Sequence, residues 1–152
     1  PEMSRGLGDV YKRQMLNIGD ISIYSTCSYI LNIIEKNGFE TEVCAGVPSF
    51  CAAAARLKKP LVSRKEVLVV APGYTDELES LMSVNGTKVI MKSGKHMNRV
   101  KKLVEKYGMS DNTIIVESCG LENERIHYGI DETENGYFSL MIIKTSEEND
   151  NA

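Results

Sequence analysis

Apolar residues recur at helical spacing in the first third of the chain, between two short apolar stretches. Over residues 25–37 their spacing predicts a helix with one apolar face, formed by Tyr29, Ile30, Ile33 and Ile34. Asn37 and Gly38 follow as a typical helix stop. Residues 16–18 and 40–44 are predicted to be the strands on either side. The pattern therefore predicts a βαβ unit, in which parallel strands are joined by a right-handed crossover.

The alternation of helices and strands continues to residue 144. Periodic apolar positions predict helices over residues 49–58, 76–83 and 95–107, the last with an inward face of Met97, Val100, Leu103 and Val104. Runs rich in β-branched residues predict strands over residues 61–62, 66–71, 87–92, 112–118, 124–130 and 137–144. Repeated alternation of this kind is typical of an α/β fold, which is the fold class that we expect.

The composition divides the chain into four parts. Residues 1–14 begin without Met and show no periodicity, so we interpret them as a foreign leader. Residues 15–72 are predicted to form part of an N-terminal α/β domain whose first strand is missing from the sequence. A proline and a glycine mark the boundary that follows, and residues 73–145 are predicted to form a second α/β domain. Residues 146–152 are acidic and polar, which predicts a disordered tail.

Two loops rich in small residues, 17–26 and 45–51, each lie between a predicted strand end and a predicted helix. In an open α/β sheet, strand ends of this kind line the ligand crevice. Gly19 and Gly46 would let the backbone approach a bound molecule closely, and the helices that follow begin with unpaired N–H groups. We therefore expect the two loops to converge and to form a ligand pocket.

The composition indicates a globular protein and excludes several functional classes. Of the 152 residues, 42% are hydrophobic and 26% are charged, which is enough apolar material for a core. The formal net charge of -3 gives no basic surplus for binding nucleic acid. No apolar run is long enough to span a membrane, and no secretory signal is evident. We expect a cytoplasmic protein with neither nucleic acid nor membrane as a partner.

The cysteines and histidines do not predict a metal site. The cysteines have no C-x-x-C spacing, which argues against a zinc or redox motif; they are Cys27, Cys44, Cys51 and Cys119. We expect them to be reduced and to act as small hydrophobic residues. The two histidines are isolated in the sequence, and neither is expected to bind a metal.

Several of these stretches resemble one enzyme family. Gly19 and Asp20 with residues 23–26, and then Gly46 and Ser49, resemble two signatures of the tetrapyrrole methylases, which use S-adenosylmethionine in corrin and sirohaem biosynthesis. Within that family, three stretches are most similar to the precorrin-2 or cobalt-factor II C-20 methyltransferases, namely residues 24–29, 49–57 and 137–140. The resemblance extends over residues 15–144 and keeps the family's order of motifs.

The resemblance implies the two-domain tetrapyrrole methylase fold, with an N-terminally truncated first domain, and with S-adenosylmethionine and the tetrapyrrole held between the domains. It implies methyl transfer to C-20 of precorrin-2 or cobalt-factor II in cobalamin biosynthesis, by a homodimer. The matching cofactor-binding positions are Gly19, Asp20, Ile23, Pro48, Ser49, Met91, Cys119, Gly120 and Phe138. The positions expected to bind substrate are Tyr24, Ser25 and Thr26. No catalytic residue is assigned, because transfer from a sulfonium mainly requires positioning and exclusion of water.

The residues alone leave structural roles open for most of these positions. Asp20 could orient the cofactor's ammonium group or a loop amide, or it could cap a helix. Ser25, Thr26 and Ser49 could bind ligand or act as N-caps. Met91 could fill the core or face a purine ring.

The role of a basic cluster and the choice between two classes of function also remain open. Lys92, Lys95 and Arg99 could meet the carboxylates of the substrate or could form the solvated start of a helix. The alternative function is that of a catalytically inactive α/β module that binds a tetrapyrrole or a nucleotide. A G-x-G-x-x-G fingerprint, which would favour a dinucleotide enzyme, is absent from the sequence.

Overall fold

The computed structural model describes residues 13–130 and 139–144. By its internal contacts the chain divides into two compact units, Pro1–Val47 and Pro48–Ala152. In the part of the chain described, the first unit contains one helix and the second contains a five-stranded sheet. Most of the predicted leader, the first two residues of the strand predicted over 137–144 and the predicted tail lie outside the described residues.

Helix α1, Cys27–Lys36, is the helix of the first unit. It begins where Ser25 Oγ accepts a hydrogen bond from the Cys27 N–H at 3.1 Å. It ends at Asn37, and Gly38 has a φ of 82°, the left-handed conformation that turns the chain out of a helix. The helix predicted over residues 25–37, with its stop signal, is confirmed.

The βαβ unit predicted around α1 is wrong. Residues 16–18 and 40–44 belong to no strand, and Leu16, Ile18 and Val43 are 86%, 87% and 49% exposed. A strand is held by main-chain hydrogen bonds to a neighbouring strand, and no other described segment pairs with either stretch. These residues therefore lie on the surface of the first unit rather than in a sheet.

The second unit is built on a mixed sheet. In chain order its elements are α2 (Ser49–Leu57), β1 (Leu68–Pro72), α3 (Leu78–Met82), β2 (Thr87–Met91), α4 (Met97–Lys106), β3 (Thr113–Glu117), β4 (Arg125–Tyr128) and β5 (Ser139–Ile143). The strand order is β1-β2-β5-β3-β4. β1 and β2 are parallel, whereas β5 is antiparallel to both β2 and β3, and β4 is antiparallel to β3.

Three strands of the sheet, β1, β2 and β3, run in the same direction. Because β5 is antiparallel to both of its neighbours, β3 runs the same way as β1 and β2. The carboxyl ends of β1, β2 and β3 therefore meet at one edge of the sheet, which we call the carboxyl edge and which comprises residues 73, 91–93 and 118–120. β5 enters the sheet at this edge, where Ser139 pairs with Glu117. Ligands of open α/β sheets bind at such an edge.

The core of the second unit lies between the sheet and two helices. Apolar side chains of α3 and α4 pack against four strands, and the buried cluster consists of Leu78, Met82, Met97, Val100, Val104, Ala71, Ile90, Ile115, Met141 and Ile143. The predicted inward face of α4 is confirmed, with Leu103 packed at its border. α2 packs against β5 and buries Phe50 and Ala53. No helix in the described ranges combines the length and the apolarity that a membrane crossing requires.

Two features of the second unit differ from the sequence prediction. The predicted boundary after residue 72 separates β1 from β2, yet these strands are hydrogen-bonded neighbours in which Val70 pairs with Val89. The compact units instead divide between Val47 and Pro48. Residues 61–62 form no strand, and the Leu61 carbonyl accepts a hydrogen bond from Lys144 Nζ at 2.8 Å.

Candidate functional site

Two glycine-containing bends of the first unit lie in direct contact. A Cβ atom at Gly46 would lie 2.1 Å from the carbonyl oxygen of Gly19, well inside van der Waals contact. Gly19 itself has a φ of 88°, which side chains other than glycine rarely adopt. Glycine at position 46 is therefore what allows the bends to approach this closely. The prediction that the loops around residues 19 and 46 converge is confirmed.

The Asp20 carboxylate ties the two bends together. Its Oδ1 accepts hydrogen bonds from the Ser22 N–H at 2.8 Å and the Ser22 hydroxyl at 2.5 Å, and its Oδ2 accepts one from the Gly46 N–H at 2.8 Å. The carbonyl of Asp20 accepts a hydrogen bond from Ile23, a half-buried residue, at 3.4 Å, which closes the first bend. These contacts match one role considered for Asp20, the orientation of a loop amide.

The hydrogen bonds to Asp20 have a consequence that titration can measure. Donation by Ser22 and then by Gly46 holds the pKa of Asp20 below its ordinary value. Because the folded-state pKa is lowered, the stabilisation is complete above the unfolded-state pKa and is lost as the pH falls through the lowered pKa. We expect Ser22→Ala to raise the pKa of Asp20 in a carboxyl NMR titration. Equal midpoints in the variant and the parent would contradict the role of Ser22.

The turn before α1 contributes hydrogen bonds that stabilise the beginning of the helix. Ser25 Oγ accepts a hydrogen bond from the Cys27 N–H at 3.1 Å and donates one to Asn17 Oδ1 at 3.4 Å. Thr26 is the N-cap residue, but its side chain makes no capping hydrogen bond. Of the three residues expected to bind substrate, Ser25 thus supports the helix, whereas Tyr24 and Thr26 are exposed.

Two further expected cofactor positions lie at the start of α2. Pro48 is the N-cap residue, and its carbonyl accepts hydrogen bonds from the N–H groups of Cys51 at 3.0 Å and Ala52 at 3.1 Å. Proline has a restricted φ and no N–H to satisfy, so it suits the beginning of a helix. Ser49 is the first helical residue and is half-buried. The N-cap role considered for Ser49 is therefore wrong.

The carboxyl edge brings three more expected cofactor positions to one side of the sheet. Met91 ends β2, is half-buried, and accepts a hydrogen bond from the Gly73 N–H at 2.7 Å through its carbonyl. Cys119 and Gly120 follow β3 at the same edge. A Cβ atom at Gly120 would meet nothing within 4 Å, so the backbone there is open to an approaching molecule. Phe138 lies outside the described residues.

The turn after β3 contains an ion pair that the sequence analysis did not predict. Glu124 Oε1 lies 2.5 Å from Arg56 Nε, and Glu124 Oε2 accepts a hydrogen bond from the Gly120 N–H at 2.8 Å. The Gly120 amide and then Arg56 hold the pKa of Glu124 below its ordinary value. Burial, and then the negative charge of Glu124, raise the pKa of the Cys119 thiol, which disfavours the reactive thiolate. The sequence signal that could have indicated the hydrogen bond is an acidic residue, Glu124, shortly after a turn glycine, Gly120.

The basic residues that follow β2 differ in their surroundings. Arg99 Nη1 donates a hydrogen bond to the Thr75 carbonyl at 3.1 Å, so it has a structural contact with the segment after β1. Lys92 and Lys95 are exposed, and Lys92 has a φ of 50°. Arg99 is also exposed in the first turn of α4, which agrees with the solvated helix start considered for it, and the two lysines remain candidates for binding an acidic ligand.

Comparison with known protein families matches residues 12–130 to the family described as Tetrapyrrole (Corrin/Porphyrin) Methylases. The match covers most of the chain, including both bends and the turn after β3. The chain belongs to the tetrapyrrole methylase family. The resemblance noted in the sequence is thereby confirmed at the level of the family.

Curated relatives of this tetrapyrrole methylase include proteins named for one methylation position. The "Probable cobalt-precorrin-2 C(20)-methyltransferase" of Methanocaldococcus jannaschii is 35% identical over 137 residues, which are 86% of this chain and 57% of that protein. The "Cobalt-precorrin-2 C(20)-methyltransferase" of Salmonella typhimurium is 27% identical over 134 residues, which are 84% of this chain and 56% of that protein. The chain thus spans a little more than half the length of these relatives.

Solved structures of tetrapyrrole methyltransferases share the fold. The uroporphyrin-III C-methyltransferase of Thermus thermophilus complexed with S-adenyl homocysteine has a TM-score of 0.67 at 20% identity, over 83% of this chain and 62% of that chain. A cobalt precorrin-4 methyltransferase has a TM-score of 0.68 at 17% identity, over 83% of this chain and 61% of that chain. The expected α/β tetrapyrrole methylase fold is confirmed.

Proposed function

We propose that this chain forms part of an S-adenosylmethionine-dependent methyltransferase that acts on C-20 of precorrin-2 or cobalt-factor II in cobalamin biosynthesis. The observation that carries the proposal is the contact between the two bends, which the Asp20 carboxylate secures through the Gly46 amide at 2.8 Å. The choice of C-20 is supported by the 35% identity to the M. jannaschii relative, which is named for that position.

The proposed cofactor contacts suit the chemistry of S-adenosylmethionine. Glycine in both bends permits close approach of main-chain groups, and Asp20, kept ionised by its hydrogen bonds, offers a negative charge near which an ammonium group is stable. Met91 offers a half-buried thioether side chain that can pack on a purine ring. The full set that we propose is Gly19, Asp20, Ile23, Pro48, Ser49, Met91, Cys119, Gly120 and Phe138.

In the proposed reaction, the main task of the protein is to position the cofactor and the tetrapyrrole and to exclude water. When bound, the cofactor supplies a methyl group attached to a positively charged sulfur. The acceptor is a meso carbon of an electron-rich ring, so no side chain of this chain has to act as a nucleophile. Tyr24, Ser25 and Thr26 are the proposed substrate contacts, and their task is to hold the ring at near-attack distance. We propose that the enzyme acts as a homodimer.

Calorimetric titration with S-adenosylhomocysteine tests the proposed cofactor site. We expect saturable binding, and we expect Asp20→Asn to weaken it about tenfold, because a charge-assisted contact is replaced by a neutral one. Asp111→Asn, an exposed aspartate of the second unit, is the matched control and should leave the affinity unchanged. A folded parent chain that takes up no S-adenosylhomocysteine would refute the proposal.

A second candidate function is that of a tetrapyrrole- or nucleotide-binding module without catalysis. Both functions use the same contact between the two bends, and they differ only in whether a methyl group is transferred. Incubation with S-adenosylmethionine and either precorrin-2 or cobalt-factor II separates the two functions by the visible absorption of the ring. Binding without methyl transfer favours the module, and turnover of one ring identifies the acceptor.

A further inference from the structure

The turn that carries Cys119 and Gly120 has a backbone that requires support. Ser118 has a φ of 49°, which is uncommon for a residue with a side chain, and Gly120 has a φ of 79°. Two hydrogen bonds within the turn, from Leu121 N–H to the Ser118 carbonyl at 2.9 Å and from Glu124 N–H to the Leu121 carbonyl at 3.1 Å, shape it locally. Neither of them involves the backbone of Cys119 or Gly120.

Glu124 supplies the contact that these local hydrogen bonds lack. Its Oε2 accepts the Gly120 N–H at 2.8 Å, and its Oε1 is held by Arg56 Nε of α2 at 2.5 Å. The Glu124 side chain is 13% exposed, whereas the Arg56 side chain is 63% exposed, so the carboxylate is shielded and the guanidinium is open to solvent. The carboxylate therefore links the turn to a helix that lies 68 residues earlier in the sequence.

We propose that Glu124 is a positioning residue that fixes the Cys119–Gly120 turn for the cofactor, and that Arg56 holds Glu124 in place. The inference rests on the proposed function, in which this turn contacts the cofactor. Gly120 presents open backbone at the carboxyl edge, with nothing within 4 Å of a Cβ atom built there. A turn held in one conformation before binding avoids the entropy cost of ordering it during binding.

Glu124→Gln tests the inference because it keeps the shape of the side chain and removes its charge. We expect S-adenosylhomocysteine to bind about tenfold more weakly, since a hydrogen bond to a charged group is replaced by a neutral one. Glu122→Gln, an exposed glutamate of the same turn, is the matched control and should bind as the parent does. Arg56→Gln provides a second variant, with the same direction of change, should Glu124→Gln not fold.

The Gly120 amide resonance in the cofactor-free chain reports the contact directly. In the parent it should shift as Glu124 titrates below the ordinary glutamate range, with Arg56 and the Cys119 thiol as the charged and titratable groups that face this carboxylate. In Glu124→Gln that titration should disappear, and Glu122→Gln should retain it. A merely structural role would lower the melting temperature without changing affinity in the folded variant.

The two readouts distinguish the failure of this inference from that of the proposed function. A parent chain that binds no S-adenosylhomocysteine refutes the proposed function and, with it, the positioning for that cofactor, whereas the Gly120 resonance still decides whether the contact with Glu124 exists. A parent that binds, together with a folded Glu124→Gln variant of equal affinity, overturns the positioning role alone. A Gly120 resonance that does not respond to Glu124→Gln also overturns it.

Discussion

Replacing Gly46 with alanine is expected to weaken binding of S-adenosylhomocysteine on the order of 100-fold, which corresponds to about 3 kcal/mol of lost contacts. The added Cβ atom would lie 2.1 Å from the Gly19 carbonyl oxygen, so the two bends must move apart. That movement also stretches the hydrogen bond from the Gly46 N–H to Asp20 Oδ2, now 2.8 Å. Calorimetric titration of the folded variant measures the loss.

Val47→Ala is the control for this prediction. It alters the next residue of the same bend, but the Val47 side chain is 65% exposed. We therefore expect the control to bind with the affinity of the parent. Unchanged affinity in a folded Gly46→Ala variant would show that the contact between the bends has no part in holding the cofactor.

Truncating Leu78 to alanine is expected to lower the free energy of unfolding by about 2–5 kcal/mol, the range for a buried leucine that leaves a cavity. Leu78 lies in α3, is fully buried, and belongs to the cluster that joins α3 and α4 to the sheet. α3 has only five residues, so its place on the sheet depends on side-chain packing rather than on helix propensity. Urea unfolding measures the change.

Leu121→Ala makes the same truncation at an exposed position of the same unit. Leu121 is 52% exposed, so its removal leaves no cavity, and we expect a change of roughly 0.5 kcal/mol or less. Similar losses in the two variants would mean that α3 does not pack on the sheet as described.

The elements of the second unit could be predicted because their signals are local. The apolar face of α4 repeats at helical spacing, and β2 and β3 are short runs of β-branched residues, which form strands wherever a neighbour is available. The predicted strand at residues 40–44 has β-branched residues at alternate positions, yet no described segment pairs with it. The spacing of apolar residues indicates which face of a segment can be buried. Whether the segment becomes a strand depends on a neighbouring strand with which it can form hydrogen bonds.

The candidate site was predictable only in part. Gly19, Asp20 and Gly46 were found because glycines and an acidic residue in small-residue loops suggest close backbone approach, and the structure joins them through the Asp20 carboxylate. The contact between Arg56 and Glu124 was not predicted, because the two residues are 68 positions apart and nothing in the local sequence around Arg56 indicates its partner. Side-chain contacts between distant residues depend on how elements pack, which a pattern along the chain does not record.

The sequence by itself determined the family of this protein, its helices, and the two glycines that the bends require, because these follow from residue identity and local spacing. Only the tertiary structure decided the direction of β3. Insertion of β5 between β2 and β3, antiparallel to both, brings the ends of three strands to the carboxyl edge. The physical reason is that strand order is set by hydrogen bonds between segments distant in the chain, and several pairings satisfy the same apolar pattern.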